Sequence, residues 1–88
     1  MPKRAAISKE EAMRRLDAAL VEVRAEVERA INKHGGMASA HEGYAVIKEE
    51  VDELWDEVKA DRGYQESAMD EAKQVAAMGV KYLVYLRA

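Results

Sequence analysis

The sequence predicts an all-α fold: a three-helix antiparallel chain that completes a helical bundle by self-association. Three observations predict it. Apolar residues recur at steps of three and four in three segments, and no segment shows the alternation of a strand. Each segment opens with a serine followed three residues later by an acid: Ser8 with Glu11, Ser39 with Glu42, Ser67 with Asp70. In that pattern the serine oxygen accepts an orphan backbone N–H at a helix start. Finally, the 88 residues include no cysteine. Disulfides and thiolate metal sites therefore add nothing to a domain that buries only about 60–65% of its unfolded surface. A second copy is the expected source of further core.

The first helix is expected over about Lys9 to Lys33, with Leu16, Leu20, Val23, Val27 and Ala30 as its apolar stripe. His34-Gly35-Gly36 ends it, because glycine takes the left-handed conformation that closes a helix. The second runs from about Ala40 to Ala60, with Tyr44, Ile47, Val51, Leu54 and Val58 in line and Trp55 beside them. Asp61-Arg62-Gly63 is the break. The third runs from about Ala68 to Leu86. Its stripe holds Ala72, Ala76 and Gly79, small residues that predict a close helix–helix approach. Short connections imply antiparallel neighbours in one domain spanning residues 1–88.

Composition narrows the function. Hydrophobic residues make up 49% and charged residues 35%, a globular mixture. Fourteen Lys and Arg against seventeen Asp and Glu give a net charge of −3, without the basic excess of a nucleic-acid binder. No apolar run is long enough for a membrane span, and none follows the basic start as in a signal peptide. A cytoplasmic protein with no membrane or nucleic-acid partner is expected.

The densest chemical feature lies on the second helix. Glu49, Glu50, Asp52, Glu53, Asp56 and Glu57 place six carboxylates in nine positions, flanked only by Lys48 and Lys59. Like charges one turn apart repel by some tenths of a kcal/mol per pair, roughly. Glu50, Glu53 and Glu57 form a row at the edge of the apolar stripe, and Glu49, Glu53 and Asp56 form a row nearer solvent. On the third helix Glu71 and Gln74 share one edge, one turn apart. If the two helices pack antiparallel, Glu50, Glu53, Glu71 and Gln74 face a shared pocket. Hard oxygen donors in that number suit Mg²⁺. A solvated acidic face is the competing reading.

Other signals are weaker. His41-Glu42 begins like a zincin motif, but Ala45 stands where the second histidine would be. Gly35-Gly36 lacks the pattern of a phosphate loop, and Trp55 reads as core or subunit interface.

Glu49-Glu50-Val51-Asp52-Glu53 followed by Glu71-Ala72-Lys73-Gln74 resembles the EExxE … ExxD signature of the MazG-like, all-α nucleoside triphosphate pyrophosphohydrolases. His41 to Lys48 leads into the acids as in many small sequences of that family, and the resemblance covers roughly Gly36 to Leu83. It implies a bundle completed between subunits, as a homodimer or homotetramer. It also implies Mg²⁺-dependent hydrolysis of a nucleoside or deoxynucleoside triphosphate to the monophosphate and pyrophosphate. By position, Glu50, Glu53, Glu71 and Gln74 match the metal ligands. Glu49, Glu50 and Glu53 would serve catalysis, with Glu49 helping to orient the water. Lys73, Lys81 and Tyr85 are the candidates for holding substrate. Gln74 departs from the pattern, offering a carbonyl oxygen where the family has an acid. The alternative is therefore a catalytically degenerate helical module that binds nucleotide or a protein.

Overall fold

The computed structural model describes residues 6–60 and 66–87. Three helices account for 87% of them, with no strand. They are α1 (Lys9–His34), α2 (Ala40–Lys59) and α3 (Glu66–Leu86). The expected break at Asp61-Arg62-Gly63 lies outside the described residues.

Two of the three serine signals act as caps. The Ser8 side chain accepts from the Glu11 N–H at 3.1 Å, and the Ser39 side chain accepts from the Glu42 N–H at 3.1 Å. The acids answer differently. Glu42 reaches back to the Ala38 N–H at 3.3 Å, while Glu11 turns to Arg14 at 2.9 Å. The third signal is corrected: α3 begins at Glu66, so Ser67 lies inside the first turn and does not cap it. Glu66 puts negative charge where the exposed amides of that turn favour it. At the other end of α1, Gly35 takes φ 73° and its N–H bonds to the Ile31 carbonyl at 3.1 Å, as the glycine stop requires.

Helix α3 is the spine. It packs against both α1 and α2, whose backbones make no close approach to each other. Glu50 and Glu53 of α2 lie near Glu71, while Gly43 meets Tyr82 and Leu86, so α2 runs antiparallel to α3. Ala19 and Glu22 of α1 lie beside Met69 and Ala72, while Ile31 lies beside Val80 and Val84, so α1 runs parallel to α3. The five residues between His34 and Ala40 turn the chain at the end where α3 finishes.

The core is small: Val27, Ala30, Met37, Ala77 and Met78, with Val23, Ile31, Val46, Ile47, Tyr82 and Leu86 packed around it. Part of the expected stripes lies outside it. Leu16 is 45% exposed, Leu20 56% and Trp55 58%. The small residues of α3 are corrected as well. Ala72 and Ala76 are exposed, and a Cβ built on Gly79 would meet nothing within 4 Å. The close approach is at Gly43 instead, where a Cβ would fall 2.6 Å from the Tyr82 ring. The radius of gyration is 14.6 Å, against about 12 Å for a compact chain of this length. The first half of α1 keeps its side chains largely in solvent. Among the described residues no helix is long and apolar enough to cross a membrane.

Candidate functional site

The acids of α2 and α3 converge. Glu50 and Glu53 sit one turn apart on α2, and Glu71 faces them from α3. One carboxylate oxygen from each lies within 4.8 Å of the others. Antiparallel packing brings them together, since it sets the middle of α2 against the first turns of α3. Glu50 and Glu71 are half-buried and Glu53 is exposed.

Neighbouring lysines leave this triad alone. Lys48 pairs with Asp52 at 3.0 Å and Lys59 with Asp56 at 3.1 Å, so the flanking cations are taken by the aspartates. Among the described residues no cation is paired with Glu50, Glu53 or Glu71. Glu71 Oε2 is buried and has no hydrogen-bond partner. Burial, and next the Glu53 charge, push the Glu50 carboxyl up to about 7. Burial and the Glu53 carboxylate raise Glu71 in the same direction. Three convergent carboxylates with an orphaned buried oxygen fit a hard divalent cation, which would satisfy that oxygen and offset the repulsion.

The remaining candidates are distributed as follows. Glu49 is exposed beside Glu50 and adds to its raised pKa. Gln74 lines a cleft with Glu26 of α1 and helps hold that carboxyl in its charged form. Lys73 lies 3.8 Å from Asp70 and adds a weak positive field at Glu26. Lys81 is 5% exposed, and ten residues separate it from Glu71, about 15 Å of helix. Tyr85 packs on Gly36, about 21 Å along α3 from Glu71. Neither Lys81 nor Tyr85 is therefore beside the acids.

The sequence reading missed the contribution of α1. Because α1 and α2 both lean on α3 without a close backbone approach to each other, a cleft of about 260 Å³ opens between them. Glu26, Arg29, Lys33 and His34 of α1 line one side, Glu50 of α2 the other, and Gln74 and Met78 the floor. Glu26 is 7% exposed and ion-paired with Arg29. The Gln74 amide, and then Arg29, hold its carboxyl below the usual carboxylate range against the opposing effect of burial. A signal did exist: Glu26, Arg29 and Lys33 recur at steps of three and four beside Val27 and Ala30. Comparison of the chain with known protein families, curated proteins and solved structures finds no match.

Proposed function

We propose that the chain is a Mg²⁺-dependent nucleoside triphosphate pyrophosphohydrolase of the MazG-like kind, acting as a homodimer or homotetramer. The observation that carries this reading is the convergence of Glu50, Glu53 and Glu71 from two helices, with Glu71 Oε2 buried and unpartnered. Glu50, Glu53 and Glu71 would hold the ion, and bound Mg²⁺ would supply positive charge to phosphate oxygens and acidify a water. Glu49, exposed and next to Glu50, would help orient that water.

The exposed apolar residues support self-association. Leu16 and Leu20 on α1, Val51 and Trp55 on α2, and Leu83 and Val84 on α3 are each more than 40% exposed. Among the described residues no large side chain is fully buried. A second copy would supply the missing cover.

The test is pyrophosphate release from a panel of ribo- and deoxynucleoside triphosphates with and without Mg²⁺. Turnover that needs Mg²⁺ and disappears in Glu53→Gln is expected. Absence of turnover across the panel would sink the enzymatic reading. One observation favours the alternative of a non-catalytic nucleotide-binding module: Gln74 is engaged with Glu26 and gives the triad no fourth carboxylate. Nucleotide binding without hydrolysis is its signature.

A further inference from the structure

The cleft between α1 and α2 gathers two cationic side chains and a histidine beside the acid triad. Arg29, Lys33 and His34 come from the last turns of α1, and Glu50 belongs both to the cleft and to the triad. The cations are not there to neutralise the triad, since none of them is paired with it. Arg29 is tied to Glu26, and Lys33 makes no ion pair among the described residues. The Arg29 side chain is nevertheless 62% exposed, so its pairing with Glu26 anchors it and leaves donors open to the cleft. Gln74 of α3 lines the same cleft beside Glu26.

We propose that this cleft seats the phosphate chain of the substrate, with Arg29, Lys33 and His34 as donors and the Gln74–Glu26 pair as the brace that aims Arg29. The inference deepens, and rests on, the proposed metal-dependent hydrolase. It assigns the phosphate-holding role to α1, and it gives the glutamine at position 74 a purpose that an acid could not serve. An aspartate there would repel Glu26, whereas a glutamine amide carries no charge and can offer it a donor. Arg29 supplies a planar fork suited to phosphate oxygens, and Lys33 a mobile point charge. Glu26 and Gln74 are positioning residues and touch no phosphate themselves.

Calorimetric titration with two probes separates this inference from the reading beneath it. The first probe is Mg²⁺ alone, and the second is pyrophosphate with Mg²⁺ in excess. Wild type is expected to bind both. The double variant Arg29→Gln/Lys33→Gln should bind Mg²⁺ at least as well, having lost positive charge near Glu50. It should bind Mg²⁺–pyrophosphate about tenfold or more weakly. Lys33→Gln alone, at an exposed position, should lose about threefold or more and guards against misfolding of the double variant. Arg29→Lys/Lys33→Arg should restore most of the binding. Unchanged pyrophosphate affinity in the Gln variants overturns the inference and leaves the metal site standing. So does a wild type that binds Mg²⁺ but not pyrophosphate. A wild type that binds no Mg²⁺ defeats the hydrolase reading itself, and the phosphate seat with it.

Discussion

Glu50 of α2 and Glu71 of α3 bring carboxylate oxygens to within 4.8 Å of each other across a helix–helix interface. Both carboxyls are raised, first by burial and then by Glu53. A folded chain that holds its acids this way is working against its own electrostatics.

That conflict fixes the pH dependence of stability. In the folded chain Glu50 keeps its proton up to about 7, against an ordinary value of 4.5. Between those values the folded state binds more protons than the unfolded state, so stability falls as pH rises. Partial exposure screens the effect to about 1 kcal/mol over that window. Metal-free protein should therefore melt lower at pH 7.5 than at pH 5, and Glu50→Gln should flatten the difference. With Mg²⁺ present the trend should weaken or reverse, because the ion needs ionised ligands. Melting curves at several pH values, with chelator or with Mg²⁺, read all three outcomes. A Glu50→Gln profile identical to wild type would remove Glu50 from the account.

Position 74 gives a second prediction. If the glutamine were a weakened ligand, Gln74→Asp would restore an acid and strengthen the site. The contact with Glu26 argues otherwise. Glu26 is 7% exposed, and the substitution takes away its donor and adds a like charge. Loss of a donor to a buried carboxylate costs about 1–3 kcal/mol. Gln74→Asp should accordingly lower stability by about that amount, and chemical denaturation would show it. An increase in both stability and Mg²⁺ affinity would mean that residue 74 belongs to the metal.

The helices and the acid triad were legible in the sequence because their signals are local. Ser8 and Ser39 mark their own helix starts, and the Glu50–Glu53 step is fixed by one turn of helix. The part played by α1 was not legible. Glu26, Arg29 and Lys33 acquire meaning only because α1 runs parallel to α3 and stands clear of α2, a long-range outcome. The buried face of α3 was misread for a different reason. Alanine and glycine mark packed and open faces equally well, and Lys81 concealed the edge that is buried. Ala77, Met78 and Lys81 are buried between the neighbours, while Ala72 and Ala76 stay exposed along an open groove against α1.

The two helical glycines should respond oppositely to alanine. Replacing glycine in a helix gains about 1 kcal/mol of propensity. At Gly79 nothing within 4 Å opposes that gain, so Gly79→Ala should stabilise the protomer by about that much. At Gly43 the new Cβ would fall 2.6 Å from the Tyr82 ring and 3.0 Å from Leu86 Cδ1. Overpacking of that kind costs about 1–3 kcal/mol and outweighs the propensity gain. Gly43→Ala should therefore be net destabilising. Denaturant titrations of the two variants give the comparison, and a destabilised Gly79→Ala would show that another copy packs closely on that face.

Self-association can be separated from the chemistry of the triad. Leu16 and Leu20 lie about one turn apart on α1, 45% and 56% exposed. Each would gain about 1–2 kcal/mol from cover by a second copy, since roughly half of each side chain remains to be buried. Glu50, Glu53 and Glu71 all come from α2 and α3 of one protomer. The double variant Leu16→Glu/Leu20→Glu places charge in the expected interface without touching the triad. Sedimentation velocity should show wild type as a dimer or tetramer and the variant shifted toward monomer. The variant should still melt higher with Mg²⁺, by an amount that follows the ratio of free ion to Kd. A variant that remains fully associated would move the interface away from α1, toward Val51 and Trp55 on α2. A variant that becomes monomeric and loses its Mg²⁺ response would mean that the ion site is completed by the second copy.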